Sequence, residues 1–210
     1  MKRDETTAWV TQLFPGEPEL LTATDSESDL NFAVFPLTED GSDQVVCTIG
    51  AADIDSGMVT AGDAAVRSEI FIAGHKQDNK LLQVLGNVTK LLVDVAGQRT
   101  IQPGTMLPSA IADVWPEATT KHVALVVPWV WSNGVPRITE KATGELATPE
   151  EAEENPHSVE RITTMLQVVP LTDAEFELAT DPQAGGLGAV QQKLAEANAD
   201  LLDLHRPSAV

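Results

Sequence analysis

The chain has 210 residues, with 32 acidic against 13 basic side chains, a formal charge of −19 and 42 % hydrophobic content. That apolar fraction is enough to bury the core of one domain or of two closely joined lobes, and it argues against intrinsic disorder. The charge argues against DNA or RNA as a ligand, since phosphates must be met by Lys and Arg, and against an anionic membrane surface; it would favour encounter with a basic protein.

Cys47 is the only cysteine, so an intrachain disulfide and a thiolate metal cluster are both excluded. It sits in the strand-like run QVVCTIG, which points to a buried, inert thiol. The start, MKRDETTAWVTQLFPGEP, has no apolar stretch after its basic residues and does not read as a secretory signal. The longest apolar run, VALVVPWVW, is nine residues and contains Pro128, far short of a membrane span. A soluble, cytoplasmic protein is expected.

In chain order, a first helix is expected over Asp4–Leu13, ended by PGEP, with Trp9, Val10 and Leu13 on one side. Strands follow at Glu19–Thr24, Leu30–Leu37 and Asp43–Ile49, the last two joined as an antiparallel hairpin by the turn formers TEDGSD. Gly62 and Asp63 introduce a strand over Val66–Ala73, opened by the charged pair Arg67 and Glu69. Both project to one face and can bond each other or neighbouring strands, which would fix the corner that sets the next helix on the sheet.

That helix is the clearest element. Leu81, Leu85, Val88, Leu92 and Val95 recur at steps of four and three, an apolar face along about 18 residues. Asp78 or Asn79 would cap its start and Gly97 its end, while Gly86 suggests a close approach of backbones. After PGTMLP and an indistinct segment over Ser109–Val114, residues 122–131 (HVALVVPWVW) read as a strand buried on both faces, with a bulge or edge at Pro128 and with Trp129 and Trp131 on one side. Asn133-Gly134 signals a type I′ hairpin, returning as the strand VPRITE.

Residues 140–157 carry six glutamates and read as a flexible, solvated loop. A strand over 161–171 precedes Thr172, which with Glu175 has capping-box spacing and opens a short helix over DAEFELAT. After DPQAGGLG a last helix runs from about Ala189 to Leu204, within a C-terminal helical stretch 187–205. The expected fold is a single α+β domain, its core about residues 20–180: a mainly antiparallel, mixed sheet with helices packed against it.

Chemistry is sparse. His75, His122, His157 and His205 are scattered, and none forms an HxH or HExxH pair. His75 stands at a strand-to-helix corner, where its ring is expected to bond nearby backbone. No G-x-S-x-G elbow occurs, and AGGLGAV lacks the Lys-Ser/Thr of a phosphate loop. The pattern indicates no catalytic residue, metal or cofactor. Four tryptophans and no tyrosine are present. Trp9, Trp129 and Trp131 are expected in the core, and Trp115, before Pro116, as an exposed anchor; clustered tryptophans also mark binding hot spots.

Several segments, in order, resemble the suppressor of fused family: RSEIFIAG leading into LLQVLGNVTKLLVDVA, then GQRTIQPGTMLP, HVALVVPWVW and VERITTMLQVVPLTDAEFELA, together spanning about residues 60–180. The most specific are Pro170-Leu171-Thr172 followed by Glu175, and the Arg-x-Glu start at Arg67 and Glu69. The resemblance implies a non-enzymatic binding protein. Eukaryotic members clamp a transcription-factor peptide between two lobes, partly by strand addition, and this chain looks like the first lobe only. Bacterial single-lobe members imply an immunity protein that neutralises a toxin, and the acidic charge suits a basic one. Arg67, Glu69, His75, Trp115, Trp129 and Trp131 are the candidate partner-binding residues. Two alternatives stand beside this: a small hydrolase-like enzyme with a polar site at Arg67, Glu69 and His75, or an accessory domain that homodimerises through a strand edge near Pro128.

Overall fold

The computed structural model describes residues 2–22, 30–78 and 80–210. Its elements in chain order are α1 (Arg3–Val10), β1 (Glu19–Thr22), β2 (Asn31–Pro36), β3 (Asp43–Ile49), β4 (Met58–Val59), β5 (Ala65–His75), α2 (Leu81–Val95), β6 (Met106–Leu107), β7 (His122–Val126), β8 (Arg137–Lys141), β9 (Leu146–Ala147), α3 (Pro149–Glu154), β10 (Val159–Leu171), α4 (Asp173–Thr180) and α5 (Gly186–Glu196). Among the described residues, ten strands form one sheet in the order β1-β2-β3-β5-β10-β7-β6, with β4 on β5, and β8 on β10 and β9. Every pairing is antiparallel except β5 with β10, so the sheet is mixed and the fold is α+β, as the turn spacing implied.

Strand alternation distributes the core between two sheet faces. Phe32, Val46, Ile70, Ile72, Val123, Leu125, Leu166 and Val168 pack against the buried side of α2, namely Leu81, Val84, Leu85, Val88 and Leu92. The helix face read from the sequence is therefore the buried one, with Val95 half-buried at its end. On the other face, Ala33, Phe35, Val45, Cys47, Phe71 and Met165 pack beneath Trp9, Val10, Phe14 and Trp131. Farther along that face, Ala124, Val126, Val169 and Leu171 receive α4 and α5 through Phe176, Val190 and Leu194. Cys47 is fully buried, and burial pushes its thiol pKa well above the ordinary value, which leaves it inert.

Several expectations fail for identifiable reasons. The expected strand 122–131 stops at Val126, because Pro128 has no N–H for a ladder. Gly134 has a positive φ but Asn133 does not, so the turn is not type I′. VPRITE does not return beside β7. Instead β7 pairs with the second half of β10 (Val126 opposite Gln167) and β8 with its first half (Arg137 opposite Thr164), both antiparallel. β7 and β8 thus continue one another along a single edge of β10, interrupted by an excursion over 127–136. No strand edge is left at Pro128 for a second copy to pair with, and Pro128 itself is buried.

The acidic segment 140–157 is not a featureless loop: it holds the β8–β9 hairpin and α3, opened by a reciprocal Thr148–Glu151 capping box. Glutamates on a fully solvated surface satisfy the first turn of a helix as readily as they populate a loop. Asp78 does not cap α2, whose first flanking residue is Lys80 with no side-chain cap; Asn79, and Ala23 and Thr24 at the end of the first expected strand, lie outside the described residues. Gly97 has the left-handed φ of +75° expected after a helix. Gly86 has no close backbone neighbour: an added Cβ would meet only the Phe32 ring at 3.8 Å. The last helix ends at Glu196 rather than Leu204, and the chain continues through turns to the C-terminus.

Candidate functional site

Glu69 is fully buried on β5. Thr48 Oγ1 donates to its Oε2 at 2.6 Å, and the backbone N–H groups of Gly50, Ala51 and Ala52 donate at 2.9, 3.0 and 3.3 Å. Gly50, with φ of +119°, lets the chain leave β3 sharply enough to wrap the short 3-10 turn Ala51–Asp53 around that carboxylate. Glu69 therefore fixes the corner after β3, not the corner before α2. Burial pushes its pKa up to about 7, outweighing the stabilising donors.

Arg67, two residues earlier, does not touch Glu69. Its Nη1 pairs with Asp55 Oδ1 at 2.9 Å and donates to the Val66 carbonyl at 3.1 Å. His75, at the far end of the strand, bonds carboxylates rather than backbone: Nδ1 lies 2.7 Å from Asp43 Oδ1 and Nε2 lies 3.3 Å from Asp200 Oδ2. The Asp43 bond leads the influences that raise its pKa. Arg67 and His75 stand eight steps apart along the extended strand, roughly 26 Å at about 3.3 Å per step. Arg67, Glu69 and His75 thus serve three separate contacts and form no common pocket, which removes the arrangement on which a hydrolase-like site would have depended. Among the described residues no three His, Cys, Asp or Glu side chains come together as a metal site, and no helix is long and apolar enough to cross a membrane.

Trp9 and Trp131 pack against the core as expected, whereas Trp115 and Trp129 do not take their expected places. Trp115 is half-buried, with His205 edge-on at 4.8 Å and Lys80 Nζ over its ring at 5.5 Å, so it is not an exposed anchor. Trp131 does join the core, against Phe14 at 5.4 Å and Phe71 at 5.6 Å, with its Nε1–H donating to the Leu13 carbonyl at 3.4 Å. Trp129 is 51 % exposed, between Val127 at 55 % and Val130 at 52 %. The excursion that interrupts the β7–β8 edge is therefore pinned by buried Pro128 and by Trp131, and displays three large apolar side chains, Val127 just before the first pin and Trp129 and Val130 between the two. Strand periodicity in the sequence places Val127 and Val130 inside the sheet, and only Pro128 points otherwise.

The model of the suppressor of fused protein (SUFU) family matches residues 26–207. The chain belongs to this family. Among solved structures, it is similar to a protein described as a SUFU homologue from Neisseria gonorrhoeae FA 1090, at 12 % identity and a TM-score of 0.62, covering 99 % of this chain and 94 % of that one. A likeness at that identity shows a shared fold. A crystal structure of the Sufu–Fu complex is also similar, at 14 % identity and a TM-score of 0.45, over 87 % of this chain and 84 % of that one. Among curated proteins, none matches the chain in sequence. The SUFU match reaches past α5 to the C-terminal turns, farther than the segments 60–180 that carried the resemblance.

Proposed function

We propose that this SUFU family member is a non-enzymatic protein-binding module of the cytoplasm that captures a basic protein, and that in a bacterial cell it acts as an immunity protein against a basic toxin. The observation that carries the reading is the solvent-facing trio Val127, Trp129 and Val130 on a pinned excursion. Exposed apolar clusters of this kind, with a tryptophan at the centre, are what protein interfaces bury. Holding them on a rigid edge reduces the ordering cost of binding. The −19 charge supplies the second half of the reading, since it accelerates encounter with a positive partner and makes that encounter sensitive to salt.

The experiment compares wild-type protein and a Val127→Asp/Trp129→Asp variant as bait, followed by reconstitution with the purified candidate partner. Support would be a saturable 1:1 complex of a basic protein with the wild type, formed more slowly as salt rises and weakened at least tenfold in the folded variant. If the variant retains the same partners with the same affinity, the surface is wrong. If no basic protein binds the wild type stoichiometrically, the module reading fails.

A further inference from the structure

A cavity of about 210 Å³ opens between α1, the Gly50–Asp53 turn and the start of β10, lined by Arg3, Thr6, Gly50, Ala52, Asp53, Glu69 and Arg161. Small-molecule pockets usually hold roughly 300–1,000 Å³. This one suits a single functional group or a small ion better than a whole metabolite. Two of the chain's 13 cationic side chains face it, although acidic residues outnumber basic ones more than twofold.

The commitments of these groups differ. Glu69 is spent: Thr48 Oγ1 and three backbone N–H groups already occupy its oxygens, so it forms a closed floor rather than a receptor. Arg161 gives Nε and Nη2 to Glu140 Oε2, at 2.8 and 2.6 Å, which orients the guanidinium without engaging Nη1. It is 22 % exposed, and burial lowers its pKa, the mark of a guanidinium partly stripped of water. Arg3, on the first turn of α1, makes no ion pair among the described residues. Asp53, also in the lining, is exposed. The unspent hydrogen-bonding capacity is thus mainly that of planar N–H donors, and the group that matches planar guanidinium donors is a carboxylate.

We infer that this cavity is a recognition site for one carboxylate, received by Arg3 and the free side of Arg161 above the Gly50–Ala52 turn. The carboxylate can come from a free small acid or from an acidic side chain on a peptide, and both present the same two oxygens. The site is distinct from the Val127–Val130 surface and does not depend on its having a partner.

The test is NMR titration of the full chain, following the amide signals of Gly50 and Ala52, with glutarate, with the capped peptide acetyl-Ala-Glu-Ala-amide, and with propylammonium as the cation control. The expected result is a saturable shift with at least one carboxylate probe, none with propylammonium, and a loss of affinity of at least tenfold in Arg3→Gln. Arg3 is exposed, so that variant keeps the fold; unchanged signals from the distant α2 amides check it. Saturation by glutarate alone identifies a free acid, and saturation by the peptide identifies a side chain as an acceptable source. Linear, unsaturated shifts with every probe, a stronger response to propylammonium, or full affinity in Arg3→Gln would each overturn the assignment.

Discussion

Arg206 and Glu175, 31 residues apart, form a buried two-armed ion pair: Nη1 to Oε1 at 2.6 Å and Nη2 to Oε2 at 2.7 Å, with side chains 3 % and 0 % exposed. The same carboxylate accepts from Thr172 N at 3.0 Å and from Ala209 N at 2.9 Å, while Arg206 Nη2 also donates to the Pro170 carbonyl at 3.0 Å. The capping glutamate of α4 is thereby the anchor for the C-terminal tail, joining the end of β10, the first turn of α4 and the last residues of the chain.

Removing one partner leaves a buried charge without compensation, so Arg206→Ala or Glu175→Ala is expected to cost about 3–5 kcal/mol in denaturant unfolding. An Arg206→Met/Glu175→Leu double variant, which leaves no charge, is expected to recover much of that loss. Burial opposes ionisation of Glu175, but the Arg206 hydrogen bond and the two N–H donors prevail and hold its pKa below the ordinary 4.5. Its contribution is therefore full above about pH 4.5 and is lost as the pH falls through the depressed value. A double variant as unstable as the single ones would contradict this account.

Glu69 has the opposite sign. Its pKa rises from 4.5 in the unfolded chain to about 7 in the fold, so the folded state binds the extra proton between those values and stability declines as the pH rises through that window. The span corresponds to about 3 kcal/mol. Glu69→Gln is expected to flatten the slope between about pH 4.5 and 7 and, having only one acceptor oxygen for four donors, to speed hydrogen exchange at Gly50–Ala52. An unchanged slope in the variant would show that another group carries the dependence.

His75 ties β3 to the C-terminal turns through Asp43 and Asp200, and its own N–H donates to the Leu202 carbonyl at 3.3 Å. Its pKa lies above the ordinary 6.5, so the stabilisation is complete below about that pH and is lost as the pH rises through the elevated value. For a pair this exposed the worth is about 0.2–1 kcal/mol. His75→Gln is expected to abolish the pH dependence of hydrogen exchange in residues 200–204 while leaving α2 protected.

Two glycines should respond in opposite directions to alanine. A Cβ on Gly74 would lie 2.8 and 2.9 Å from the two Leu81 methyl groups and 3.3 Å from the Leu202 carbonyl, inside the packed corner between β5 and α2. Gly74→Ala is expected to destabilise by about 1–3 kcal/mol. Gly188 is exposed on α5 with no atom within 4 Å of the added Cβ, and Gly188→Ala is expected to stabilise by up to about 1 kcal/mol. Thermal unfolding of the two variants reads both signs.

Local pattern and ordering were written into the chain itself. The i, i+4, i+7 apolar series of α2, the Thr172–Glu175 capping box, the β2–β3 hairpin and the segment order that marks the SUFU family all rest on neighbours within a few residues, where spacing dictates geometry. Tertiary structure alone decided how distant residues share surfaces. It aligned β7 and β8 along one edge of β10, turned Trp129 outward and Trp131 inward, wrapped the Gly50 turn around Glu69 and brought Arg206 to Glu175. Each of these depends on desolvation and on partners tens of residues away, which no short window of sequence contains.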